Sequence, residues 1–169
     1  MNTLVIDPGI HGCGAAYGVD KTLKAVAYIR GRSETKIDRW ILWRQMALNV
    51  DTWAPALKAE ELVIELPMVY LASHQRGTKT SVNPDDIVEL ATCVGTIIGT
   101  SRCSRVKIYR PYEWKGQVPK EICHARAIKA LTASERAVID TGISNVPKSL
   151  QHNALDAVAM FLKHVGRVK

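Results

Sequence analysis

Three acids in this chain sit where an acid is locally out of place. Asp7 closes the apolar run Thr3-Leu4-Val5-Ile6, and Glu65 closes Leu62-Val63-Ile64. Each run reads as a strand buried on both faces, and each acid is followed by a chain-breaking signal, Pro8-Gly9 in the first case and Pro67 in the second. If the two strands are parallel neighbours, about 4.8 Å apart, their carboxylates stand close enough to share one cation. Asp156 is the third acid. It lies between Leu155 and Ala157, one residue off the apolar stripe of the last amphipathic segment, where leaving water costs energy unless a metal or a donor compensates. His152 precedes it by one helical turn, about 40° round the axis, and Asn153 by three residues, about 60° round, so either is a neighbouring ligand. A set of this kind suits hard cations such as Mg²⁺, with Mn²⁺ as a substitute, because they take oxygen ligands and keep several waters. Two such ions about 4 Å apart activate a water and stabilise the leaving oxygen of a phosphodiester.

Taken singly, each residue has an ordinary reading. Asp before Pro-Gly is a turn residue, Glu65 is a strand-end acid paired with a surface lysine, Asp156 is a solvated helix position, and His152 is a surface histidine. The ordered set is what favours chemistry: two acids at equivalent ends of two central strands, a third on the final helix, and a basic segment between them. Between Thr100 and Lys129 stand eight basic residues against two acidic ones, a local +6 out of a net +7 for the chain. Such a balance points to a polyanionic partner, nucleic acid being the commonest.

The elements that must position these residues are legible from patterning. Strands are expected at Thr3–Ile6, Cys13–Val19 and Leu23–Arg30, the last two joined through Asp20-Lys21-Thr22 as a hairpin, then at Leu62–Leu66 and Val106–Tyr109. A helix over Lys36–Val50 is expected to bury Ile37, Trp40, Ile41, Ala47 and Leu48. Asn83-Pro84-Asp85-Asp86 is a helix start, with a cap residue, proline at the first position and acids at the positive helix end, and the helix runs through Ile98. Further helices are expected from Pro119 to about Leu131, after the capping box Thr132-x-x-Glu135, and from Lys148 to Val165 with a stripe of Leu155, Val158, Ala159, Leu162 and Val165. Residues 67 to 82 read as a long functional loop carrying Tyr70, His74, Arg76 and Lys79.

With 169 residues, 47% of them hydrophobic, residues 1–169 are expected to form one α/β domain. No apolar run approaches the roughly 18 residues of a membrane span and Met1-Asn2-Thr3 lacks the layout of a signal peptide, which makes the cytoplasm the expected address. The four cysteines, at 13, 93, 103 and 123, fit neither a CxxC pair nor a zinc knuckle and read as reduced, mostly buried thiols.

Asp7-Pro8-Gly9-Ile10-His11-Gly12-Cys13-Gly14 resembles the opening strand and turn of RuvC-type Holliday junction resolvases, in the ribonuclease H-like superfamily. Val63-Ile64-Glu65-x-Pro67 resembles their second acidic strand and Asp156-Ala157-Val158-Ala159 their last motif. The likeness runs over nearly the whole chain in order and spacing, and the Trp114-Lys115-Gly116 and Pro119-Lys120 segment is similar to the compact members encoded by bacteriophages. It implies a five-stranded mixed sheet, three strands antiparallel and two parallel, flanked by helices. It implies further that Asp7, Glu65 and Asp156 bind divalent metal, two ions per site, in a homodimer that presents two sites to a four-way junction. Asp7 and Asp156 would hold one ion and Glu65, with His152 or Asn153, would help hold the other. One departure stands out: the family's acid or histidine three residues before the final Asp is Asn153 here, which coordinates only weakly through its carbonyl, so His152 is the favoured substitute. Met68 and Tyr70 are candidates for the aromatic wedge after the second acid, Tyr70 by stacking on a base or else by packing in the core. Lys115 and Lys120 resemble the lysines near the scissile phosphate, where a cation neutralises developing charge; Arg76 and Lys79 are either phosphate contacts or surface residues.

The expected function is thus a metal-dependent endonuclease cutting branched DNA to 5′-phosphate and 3′-hydroxyl ends, with no membrane and no small-molecule substrate. Its rivals are a nuclease of the same superfamily acting on RNA or RNA–DNA hybrids, and a non-catalytic nucleic-acid-binding protein with a degraded metal site. An actin-like phosphotransferase shares the opening turn, but 169 residues are too few for its two lobes.

Overall fold

The computed structural model describes residues 1–31, 38–68 and 83–168. Its chain order is β1 (Asn2–Asp7), β2 (Cys13–Val19), β3 (Thr22–Ile29), α1 (Arg39–Thr52), β4 (Glu61–Glu65), α2 (Pro84–Thr100), β5 (Arg105–Tyr109), α3 (Pro111–Trp114), α4 (Lys120–Ala130), α5 (Ala133–Ile143) and α6 (Lys148–His164). The five strands form one sheet in the order β3-β2-β1-β4-β5. β1, β2 and β3 are antiparallel neighbours, while β4 runs parallel to both β1 and β5. The mixed sheet expected from the sequence is the one observed.

Alternation along the strands divides the core into two layers. Leu4, Ile6, Ala15, Leu62 and Ile64 point to one side, against Trp43, Met46 and Val50 of α1 and Cys93, Val94 and Ile97 of α2. Val5, Ala16, Val26 and Val63 point to the other side, against Ala157, Val158, Phe161 and Leu162 of α6 and residues of α4 and α5. Asp7 and Glu65 are in phase with Val5 and Val63, so the pleat sends both carboxylates to the α6 side. The register brings Ile6 opposite Ile64, and the two acids stand one step beyond that pair. α6 can lie against the sheet because β2 offers glycine where they cross: a Cβ on Gly14 would sit 1.9 Å from the Asn153 carbonyl oxygen, and one on Gly18 2.1 Å from the Phe161 ring.

The helix starts follow the expected chemistry. The Asn83 side chain accepts from the Asp85 amide at 3.1 Å, with Pro84 in the first turn, and Thr132 with Glu135 completes the capping box of α5. Two expectations need correction. α1 begins at Arg39 and buries Trp43, Met46, Ala47 and Val50, leaving Trp40, Ile41 and Leu48 exposed and Ile37 outside the described residues. Apolar residues lie all round this helix, so periodicity alone could not choose its inner face. The turn α3, set by Pro111 after β5, was not anticipated, and α6 is buried over much more of its surface than the expected stripe, Ala154, Ala157, Met160 and Phe161 included. Among the described residues no helix is long and apolar enough to cross a membrane, and all four cysteines are free thiols, Cys13 and Cys93 buried.

Glu135, 1% exposed, closes the far end of the fold. It accepts from the Leu23 amide at 2.9 Å, from the Thr132 amide at 2.8 Å, and from the Arg167 guanidinium at 2.5 and 2.9 Å. The Arg167 partnership, foremost, and the backbone donors outweigh burial and hold the carboxyl down at about 2.

Candidate metal and nucleic-acid site

Asp7 at the end of β1, Glu65 at the end of β4 and Asp156 in the third turn of α6 converge on one end of the sheet, and the charge of each of the other two acids bears on Asp7. Burial drives the Asp7 carboxyl well above its ordinary value, and the charges of Asp156 and Glu65 push it further, against a weaker pull from Lys120 and Lys115. Glu65 is also raised by burial, with Lys115 and a hydrogen bond from Trp114 pulling it back. Asp156 behaves differently: burial opposes its charge, but hydrogen bonds from His124 and Lys120 prevail and hold it below the usual range.

These partners come from α3 and α4. The Trp114 indole N–H donates to Glu65 Oε2. Lys120 Nζ lies 2.5 Å from Asp156 Oδ2 and His124 Nε2 lies 2.7 Å from Asp156 Oδ1, so two residues one helical turn apart on α4 grip both oxygens of one carboxylate. Among the described residues no hydrogen bond reaches the Asp7 carboxylate, and no group of three or more His, Cys, Asp or Glu side chains is already gathered to hold a metal ion. The three acids thus share one end of the sheet without being closed round a point. Three carboxylates offering oxygen ligands only, one of them partly buried without a hydrogen-bond donor among the described residues, are a set that fits hard divalent cations.

The sequence matches no protein-family model and no curated protein. Solved structures do match. RuvC of Thermus thermophilus in complex with a Holliday junction substrate is similar at a TM-score of 0.56 and 16% identity, covering 97% of this chain and 92% of that one. Thermus thermophilus RuvC in a second structure gives 0.55 at 15% identity, with 97% and 93% covered. The fold is that of RuvC. The yeast mitochondrial Holliday junction resolvase Ydc2 is similar at 0.51 and 9% identity, over 98% of this chain and 80% of that one.

On this RuvC fold the residues singled out in the sequence separate into groups. Asp7, Glu65 and Asp156 share one end of the sheet, near enough for Glu65 and Asp156 to bear on Asp7 but not gathered into a metal-holding group among the described residues. Lys115 caps α3 with its ammonium 5.2 Å from the centre of the Trp114 ring, near enough to bear on both Asp7 and Glu65, and Lys120 reaches Asp156 directly. His152 is exposed on α6 and lines a pocket with Lys120, Glu121 and His124. Asn153 is partly buried, its backbone carbonyl facing Gly14. The protein hydrogen bonds to Asp156 come from α4, not from His152 or Asn153 on its own helix. Met68 is partly buried, while Tyr70, Arg76 and Lys79 fall outside the described residues. The basic segment supplies β5, α3 and α4, and from it Lys115 and Lys120 reach the acids.

Sequence reasoning missed His124 and the role of Trp114. Lys120-x-x-x-His124 is a same-face spacing on a helix, which pairs the histidine with the lysine already singled out. A buried indole needs an acceptor, and the Glu65 carboxylate supplies it.

Proposed function

We propose that residues 1–169 form a single nuclease domain that uses divalent cations, Mg²⁺ or Mn²⁺, to cut branched DNA at four-way junctions, leaving 5′-phosphate and 3′-hydroxyl ends. The observation that carries this reading is the trio of Asp7, Glu65 and Asp156 at one end of the sheet, flanked by Lys115 and Lys120, in which Asp7 and Glu65 are left raised and only Asp156 is compensated. The likeness to RuvC solved with a Holliday junction supports the choice of substrate. Asp7, Glu65 and Asp156 would hold the cations, with His152 or Asn153 as the remaining neighbours on α6. Bound there, two divalent ions would supply the positive charge that lets the acids ionise together and would polarise water and phosphodiester. The chain's own residues do the rest. Trp114 fixes the Glu65 carboxylate, His124 orients Asp156 through Oδ1, and Lys115 offers its charge to a phosphate. A homodimer would set two such sites across the two-fold axis of a junction.

The test is an end-labelled four-way junction, a matched duplex and an RNA–DNA hybrid, each incubated with Mg²⁺, Mn²⁺ or EDTA. Paired, metal-dependent cuts in the junction are expected, and Asp7→Asn should lower cutting by about 10³-fold while leaving junction binding intact. Preferential cutting of the hybrid would replace this reading with a ribonuclease. Tight junction binding with no cutting under either metal would replace it with a binding protein, the reading that the Asn153 departure favours.

A further inference from the structure

Lys120 faces two ways. Its ammonium is 2.5 Å from the buried Asp156 carboxylate, yet its side chain is 43% exposed. Its open side lines a pocket of about 280 Å³ between α4 and α6, whose other walls are Glu121, His124 and His152. Lys120 and His152 can turn N–H donors into it, while His124 has its Nε2 on Asp156, and the pocket opens beside the acid end of the sheet, where the backbone of a bound nucleic acid would pass. A cluster of Lys and His donors of this kind is suited to a phosphate oxygen.

The ion pair also has a cost for the proposed chemistry. Asp156 is the one acid of the trio already paired with an ammonium, so a divalent ion taking its Oδ2 displaces Lys120. Lysine's long flexible stem allows that ammonium to move between neighbouring anions without a change in backbone.

We propose that Lys120 is exchanged between two anions, Asp156 in the free protein and a backbone phosphate seated in the α4–α6 pocket in the DNA complex, so that DNA frees Asp156 for the divalent cation. This deepens the nuclease reading and rests on it for the identity of the nucleic acid. His152 then serves as a phosphate contact in the pocket. Because linkage is reciprocal, the cation must tighten DNA binding by the same factor as DNA tightens cation binding.

Two measurements test the exchange. The first is calorimetric titration of Mn²⁺ into the wild-type chain and into Lys120→Gln, Lys120→Arg and Lys115→Gln, without DNA and with folding checked by circular dichroism. Lys120→Gln is expected to bind Mn²⁺ tighter by about fivefold or more, the lower end of ordinary coupling between sites. Lys120→Arg keeps the charge and should stay near wild type; Lys115→Gln, which removes a nearby charge but no ion pair, should change less than Lys120→Gln. The second is junction affinity with and without Ca²⁺, with junction integrity checked on a gel. Ca²⁺ should tighten the wild-type complex and not the Lys120→Gln complex. A folded Lys120→Gln that binds Mn²⁺ no tighter than wild type would overturn the proposal, as would equal Ca²⁺ enhancement in both proteins. Failure of the wild-type chain to bind junction at all would instead remove the nuclease reading, and the Mn²⁺ titration would still decide whether Lys120 competes for Asp156.

Discussion

Glu135 and Asp7 are acids drawn into the protein near opposite ends of the sheet, Glu135 fully and Asp7 in part: Leu23, which donates to Glu135, pairs with Gly18 of β2, whereas Asp7 pairs with Gly14. Five donors from Leu23, Thr132 and Arg167 serve the Glu135 carboxylate, which is held at about 2. Asp7 accepts no hydrogen bond among the described residues and is forced upward by burial and by two neighbouring acids. The first arrangement is complete within the chain and serves stability. The second is incomplete, and what it lacks is positive charge, which is the structural difference between a buried acid that holds a fold together and one available for a ligand.

Breaking the complete site should have the largest effect on stability. Glu135→Ala leaves the Arg167 guanidinium and two amides without their acceptor, and urea denaturation should show a loss of about 3–5 kcal/mol. With its folded value depressed from 4.5 to about 2, the native carboxylate contributes stability above pH 4.5 that is lost as pH falls through about 2.

The incomplete site should respond with the opposite sign. The Asp7 value is raised in the fold, so the metal-free protein is favoured below the ordinary carboxylate value of 3.8 and loses that advantage as pH rises through the folded value. Asp7→Asn should therefore raise the melting temperature in EDTA near neutral pH, by about 2–4 °C for each 1 kcal/mol recovered. The same substitution should abolish the rise in melting temperature that Mn²⁺ gives the wild-type chain. A lower melting temperature for Asp7→Asn in EDTA would mean that the acids are compensated within the fold after all.

The smallest effect sharpens the comparison from within α6. Asn153→Asp restores an acid at the position where the resolvase pattern has one, and should tighten Mn²⁺ binding while costing about 1 kcal/mol or less in EDTA. Unchanged Mn²⁺ affinity would place that side chain away from the ions.

The sheet and two of its acids were legible because they depend on local signals: apolar runs ending in Asp7 and Glu65, each followed by a breaker, and a capping box at Thr132 and Glu135. Asp156 was legible as an acid beside an apolar stripe. What periodicity could not supply was orientation. In α1 it favoured Trp40, Ile41 and Leu48 over Trp43, Met46 and Val50, because apolar residues occupy both faces. Around Asp156 it favoured ligands on the same helix, whereas its partners come from α4, 32 and 36 residues earlier in the chain. Contacts between elements depend on how helices dock, and His124 carries no local mark of the acid it will meet. Glu135 was readable as half of a capping box, but its burial by Arg167 at the other end of α6 was not.

The contact between Gly14 and the Asn153 carbonyl acts as a spacer for the end of the sheet that carries the acids. It sets backbone against backbone, with no side chain between, so the gap from β1 and β2 to the first turns of α6 does not depend on how core side chains repack. Val158 and Leu162 pack in the core further along α6 and take no part in that contact. A single methyl group at position 14, by contrast, would lever α6 away from the sheet and widen that gap. The tolerance of the site is thereby written into one residue that carries no functional group at all.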